Sequence, residues 1–331
     1  MLRFVLKRVA ATIAVLLFLT AVVFVLQKNT PIDSVRAKLG ANASQERVAA
    51  ETHRLGLDQP LVVQYVHYVG GLTHGDFQDS LRTRKPVSQD LATYLPATLE
   101  LVLAAMFLAV VLGTALGIAA AARWRGAGVL RLVLVTGASA PVFLLALLGI
   151  LVFYRQLGWL PATGRTTFFD APSSPTGLLT VDSLVHGRLD VFSDAMRHLV
   201  MPAVCLALGP AVAIARTLRS SLLTNLQADH ARTARAKGLR DVQVLLRHGL
   251  RNSAGPALSM AGIQVGLMFA AVVILESVFA WPGIGLYVVQ SIPRGDFPAI
   301  AGVTLVLGAL YVVVNSIVDL LQAAADPRIA R

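Results

Sequence analysis

LVLAAMFLAVVLGTALGIAAAA, residues 101–122, places 22 residues in a row without a charged side chain. A helix needs about 20 predominantly apolar residues to cross a bilayer. The run shows no two-residue alternation, so it reads as a spanning helix and not as a barrel strand. Comparable stretches lie at 9–26, 132–154, 199–215, 253–275 and 297–318. With 331 residues, 56% of them hydrophobic and only 14% charged, an ordinary soluble domain is excluded. Six spans predict an all-α, polytopic membrane protein.

The net charge of +11 would suggest nucleic acid in a soluble chain, but here it sets orientation. Arg3, Lys7 and Arg8 precede the first span as in a signal peptide. Its apolar run is 18 residues, and no small-residue cleavage site follows before Lys28, so it is read as a retained anchor. With the N-terminus inside, residues 1–8, 123–131, 216–252 and 319–331 face the cytoplasm, and so does the C-terminus. They carry 16 Lys and Arg against three loop acids, Asp229, Asp241 and Asp326, with Asp319 at a span edge. The segments 27–97, 155–198 and 281–296 carry 13 basic and 12 acidic residues and face outward. Nearly all the net charge is therefore internal, and a nucleic-acid partner loses its main support.

Segment 27–97 predicts a partly helical region. Ser44 is placed to cap a helix running to Leu55 with Gly56 beyond it, and Asp58 to begin another through Tyr68 that Gly70 and Gly71 interrupt. Ser88 precedes Leu91, Tyr94 and Leu95, a short amphipathic stretch expected along the membrane interface before Pro96. Segment 155–198, with Pro161, Pro172, Pro175, Gly164, Gly177 and Gly187, predicts a long docking loop.

No lysine precedes Ser or Thr, so there is no phosphate-binding P-loop, and HExxH, GxSxG and GxGxxG are also absent. The chain is expected to catalyse nothing. The seven histidines lack metal-ligand spacing, and the single cysteine, Cys205, reads as a small buried hydrophobe. The spans carry packing chemistry instead: GxxxG occurs at 113–117 and 262–266 and permits close backbone approach. Polar groups within spans are fewer. Gln264 lies mid-span, Glu276 lies near the end of the same helix, and Asn315 and Asp319 share a face at i, i+4. Asp319 reads as an interfacial cap, and Glu276 as a structural group or one reaching outer water.

Between the fourth and fifth spans stands DHARTARAKGL, residues 229–239. The fourth helix is expected to continue through Arg219 toward Asn225, and Asp229 to open a second helical piece ending at Lys237. Gly238 suits a left-handed cap. Asp241 is placed to cap a third piece with Val242, Leu245, Leu246 and Leu250 on one face, and Pro256 to mark the start of the fifth helix. A basic loop alone explains the charge. It does not explain Ala231, Ala234 and Ala236 grouped before Gly238, which are read as small side chains pressed against another protein.

At these residues the chain resembles the permease subunits of ATP-binding-cassette importers for dipeptides, oligopeptides and nickel, in particular the member of the pair with a long N-terminal external region. The resemblance covers nearly the whole chain: LPATLEL at 95–101, LGWLPATG at 157–164, RTARAKGL at 232–239, FAWPGIG at 279–285 and Asp326-Pro327-Arg328. The chain departs from the pattern at His230 and Ala231, where an aromatic and a β-branched residue are common, and at Arg232, which occupies the place of a glutamate.

The resemblance implies a type I importer transmembrane domain over 96–325, after an anchor helix at 1–26 and an external region at 27–95. Its coupling loop spans 217–256. It implies that Asp229, Ala231, Arg232, Ala234, Arg235, Ala236, Lys237, Gly238 and Leu239 couple to an ATPase subunit. Gln264, Met268 and Glu276, on the helix joined to that loop, are expected to approach the translocation path. No cofactor is expected on this chain. ATP and Mg would bind two partner ATPase subunits, or one fused pair, with a second homologous permease, an external solute-binding protein and membrane lipid completing a bacterial inner-membrane complex. Peptides are the expected cargo, with a nickel chelate or another bulky ligand as the alternative within this class. From the residues alone, an autonomous channel, a secondary transporter or an assembly scaffold stay open.

Overall fold

The computed structural model describes residues 2–29, 43–54, 56–122, 126, 128–129, 132 and 140–325, without the side chains of 2–5, 7–8, 319 and 321–325. The principal helices among them are α1 (Leu2–Lys28), α2 (Gln45–Arg54), α3 (Leu61–Thr73), α4 (Val87–Ala121), α5 (Val142–Gly149), α6 (Leu179–Val185), α7 (Leu189–Gln227), α8 (Asp229–Ala236), α9 (Asp241–Val278), α10 (Ile284–Ser291) and α11 (Phe297–Ala325). Helix α5 continues in π geometry through Ile150–Gln156, and α9 holds a π stretch at Val244–Gly249. Extended pairing among the described residues is limited to one bridge, Asp79 with Pro86.

Five helices, α1, α4, α7, α9 and α11, are long and apolar enough to cross a membrane, and Val142–Gln156 is a shorter apolar sixth. The fold is that of an all-α, multi-span membrane protein. Residues 133–139 of the expected third span, and the side chain of Asp319, lie outside the described residues.

The chain folds as two compact units, Pro96–Gly283 with Val313–Arg331, and Leu2–Leu95 with Ile284–Val312. In the first, α7 and α9 form the long central seam, and α4 crosses α7 at its glycines. A Cβ on Gly113 would stand 2.8 Å from the Ala211 carbonyl oxygen and 2.9 Å from Ile214, and one on Gly117 3.1 Å from Leu218. The first GxxxG is thus a true crossing point, where absent side chains let two backbones approach without a hydrophobic driving force from water. Gly262 makes a similar approach to Val318 of α11, 2.7 Å from a would-be Cβ.

In the second unit, α3 packs on α1. The Tyr65 hydroxyl lies 2.9 Å from Thr20 Oγ1 and donates to the Leu17 carbonyl at 3.0 Å, and Phe24 meets the rings of Tyr65 and Tyr68. Ser44 does head α2, its Oγ accepting the Arg47 N–H at 3.4 Å, and Gly56 is left-handed at φ +63°. Helix α3, however, begins at Leu61 behind Pro60 and runs through both Gly70 and Gly71 to Thr73. A helix-interior glycine costs only about 1 kcal/mol. Packing of Tyr68 and Leu72 against Val23 and Leu305 outweighs it.

The stretch expected along the membrane interface is instead the first turns of α4. Val87 and Leu91 are buried with Ile284, Tyr287, Ala299 and Val303, so the apolar face finds protein. Pro96 lies inside the helix without ending it. Likewise Pro256 sits within α9, and Pro202 and Pro210 within α7. In spanning helices neighbouring elements re-satisfy the carbonyls that proline leaves without a donor, so proline is a weaker stop signal there than in water.

Candidate functional site

The elbow between α7 and α9 is helix, glycine, helix as the sequence suggests. Helix α8 ends at Ala236, and Gly238 takes φ +84°, a conformation that disfavours any residue with a Cβ. Asp241 is the first residue of the next helix and not its cap. The chain enters behind Arg240, whose N–H is accepted by the Gln243 side chain at 3.1 Å.

Two expectations about faces change. Ala231 and Ala234 are buried against Val244, Leu226 and Leu239 of this same chain, so these alanines set the spacing of α8 on its own neighbours instead of meeting a partner. Ala236 alone of the three is exposed, alongside Asp229, His230, Arg232, Thr233, Arg235, Lys237 and Gly238, while Leu239 is half-buried. In the third piece Val244 and Leu245 are buried while Val242 and Leu246 are exposed. The π stretch bonds i to i+5 and turns less per residue than an α-helix, so a face read at 3.6 residues per turn points the wrong way.

Polar contacts fix the elbow to both helices. Arg235 donates to Asp241 Oδ1 and to the Leu226 carbonyl, each at 3.0 Å, and Asn225 donates to Ser253 Oγ at 3.0 Å. His230 and Asn252 lie 3.3 Å apart across it. Beneath lie Leu218, Leu222, Leu245 and Ala121. Among the described residues Arg232 pairs only with Asp229, at 3.5 Å and in the open. The result is a packed apolar underside with a largely basic outward surface.

Along α9, Gln264 and Met268 share the wall of a recess of about 170 Å³ between α5, α7 and α9. Met268 is buried and Gln264 half-buried. Glu276 stands apart from them and from open solvent. It is fully buried, accepts a 2.6 Å hydrogen bond from Thr98 Oγ1, and lies so close to Gly283 that a Cβ there would collide with its carboxylate. Among the described residues no group of three or more His, Cys, Asp or Glu is arranged to hold a metal.

Around Glu276 three sequence motifs converge in a way no linear spacing reveals. Trp281, from the stretch after α9, is buried and donates through Nε1 to the Ala97 carbonyl of α4 at 2.9 Å. The Arg165 guanidinium lies 5.6 Å from the Trp281 ring centroid and forms an ion pair with buried Glu100. Glu100 also accepts from the Thr180 N–H and hydroxyl, both at 2.7 Å, and the Gly164 N–H donates to the Phe279 carbonyl at 2.9 Å. Nearby, Asp182 accepts from the Thr176 hydroxyl at 2.7 Å and from the Thr176 and Gly177 N–H groups at 3.0 and 2.8 Å. Burial pushes the Asp182 carboxyl up, but these bonds outweigh it and hold the group below the usual carboxylate range. Arg165 and Glu100 were invisible as a pair because they lie 65 residues apart.

Comparison with known proteins agrees with this architecture. The family model "Binding-protein-dependent transport system inner membrane component" matches residues 113–331, and "Binding-prot-dependent transport system membrane comp, N-term" matches 1–102. The chain belongs to this family of transport-system membrane subunits. It is 40% identical to the di/tripeptide transport system permease protein DppB of Pseudomonas aeruginosa (strain UCBPP-PA14), with 99% of each chain covered. It is 41% identical to the probable D,D-dipeptide transport system permease protein DdpB of Escherichia coli (strain K12), over 94% of this chain and 92% of that one. To the dipeptide transport system permease protein DppB of Alkalihalophilus pseudofirmus it is 37% identical, with 99% of each covered.

Proposed function

We propose that this chain is one of two permease subunits of an ATP-driven, binding-protein-dependent importer whose cargo is a dipeptide or short peptide. The names of the relatives supply the cargo class, and their near-complete coverage of the chain supports the transfer. Both termini and the elbow face the cytoplasm, in line with the excess of Lys and Arg in those segments. A solute-binding protein delivers cargo at the opposite face, where the segments 27–97 and 155–198 are the candidates for docking.

The observation that carries this reading is the elbow. Its apolar underside ties α7, α8 and α9 together, and its exposed residues from Asp229 to Leu239 remain for a groove on an ATPase subunit. ATP and Mg bind on two such subunits and none binds here. Closure of the ATPases on ATP favours one arrangement of the elbow, hydrolysis another, and α9 carries the difference toward the path. This is a population shift driven by contacts that differ between states. Gln264 and Met268 face that path. Glu276, enclosed by Thr98 and Gly283, joins it only in a state where those contacts part.

Reconstitution decides between this reading and an autonomous channel or secondary transporter. The permease pair in liposomes should move no labelled dipeptide until ATPase subunits, binding protein and ATP are added. Uptake by this chain alone would sink the proposal.

A further inference from the structure

Val142, Leu145, Cys205, Leu206, Gln264 and Met268 line the recess of about 170 Å³. Gln264 is the one polar side chain among them. Its single hydrogen-bond partner among the described residues is the Met260 sulfur at 3.6 Å, a weak acceptor. A carboxamide offers two donors and an acceptor, and leaving that capacity unused in a spanning helix is costly. The remaining walls are apolar and, at Met268, conformationally adaptable.

We infer that this recess recognises the peptide bond of the cargo: the Gln264 carboxamide pairs with its N–H and C=O, and the apolar walls admit side chains without choosing among them. An acyl chain or any other purely apolar ligand would leave the Gln264 carboxamide unsatisfied. Selection by backbone, with soft walls for the rest, is how a site tolerates many side chains while rejecting non-peptides. The inference rests on the peptide reading above.

The test uses the complete importer with its binding protein and ATP in proteoliposomes, comparing Ala-Ala with alanyl-lactate, in which an ester replaces the amide and removes one donor. Affinities of the binding protein for the two are measured separately and divided out. The unaltered complex should favour the amide by roughly threefold to tenfold, the worth of one hydrogen bond. Gln264→Leu should bring the ratio toward one. Equal losses for both cargos, with the ratio unchanged, would make Gln264 merely structural and overturn the inference. Failure of the unaltered complex to take up Ala-Ala would overturn the peptide reading instead.

Discussion

The two ends of α9 use charge in opposite ways. Near Glu276, charged and polar groups are buried and spent on one another: Arg165 on Glu100, Thr98 on Glu276, Trp281 on the Ala97 carbonyl. At the elbow the interior is alanine, valine and leucine, and the charge lies outside. Apart from the buried Arg165 Nε, which has no hydrogen-bond partner among the described residues, the first end spends its polar groups within the chain and has little left to offer a partner. The second keeps its cations where another protein can meet them. A helix of 38 residues, about 57 Å at 1.5 Å per residue, joins the two.

That contrast fails or sharpens under four changes. The largest effect should come from Arg165→Ala, which leaves Glu100 buried without its cation. Breaking such a pair costs about 3–5 kcal/mol, read as a lowered midpoint for thermal unfolding of the detergent-solubilised complex. Adding Glu100→Leu to Arg165→Ala should recover part of it, and if the single and double variants are equally unstable the ion pair is not what matters. At the other end Ala234→Leu should overfill the elbow and cost about 1–3 kcal/mol. It should also reduce peptide uptake more than it reduces assembly with the ATPase, since the spacing of α8 on Val244 is disturbed while its outer surface is kept.

Next in size is a pH effect at Asp182. Its folded pKa lies below the unfolded value of about 3.9. The stability it contributes is therefore fully present above that value and is lost as pH falls through the lower folded pKa. Asp182→Asn should flatten the acid limb of a stability-against-pH curve, and an unchanged limb would assign acid sensitivity elsewhere. The smallest effect on stability belongs to Arg232→Glu. The Arg232–Asp229 pair is exposed, with side chains 74% and 96% accessible, and such pairs contribute about 0–1 kcal/mol. Unfolding should barely move, yet uptake should fall. If uptake is unaffected, the outward charge of α8 is ordinary solvated surface.

The comparison also explains which parts of the site were legible in advance. Helix α8 and the turn at Gly238 were readable because a helix, its end and a left-handed glycine are local events within about ten residues. The direction of the alanines was not, since Ala231 and Ala234 are buried by Val244 and Leu226, which belong to other helices. The same limit applied to the amphipathic stretch before Pro96. Its periodicity showed an apolar face, but lipid and protein are equally apolar, and only Ile284 and Tyr287 decide which one it meets. In the third piece of the elbow the error was of phase, since a π stretch leaves no mark on hydrophobic spacing.

The amino-acid order alone settled that this chain is helical and crosses a membrane several times, because an unbroken apolar run in lipid must satisfy its backbone within itself. Charge counts pointed to its orientation, and RTARAKGL to its family. Tertiary structure decided what each polar group is for: Glu100 with Arg165 and Glu276 with Thr98 are internal ties, while Gln264 keeps an amide turned to a recess. Those roles depend on which residues from distant segments come within about 3 Å, and hydrogen bonding at that range has no counterpart in linear spacing.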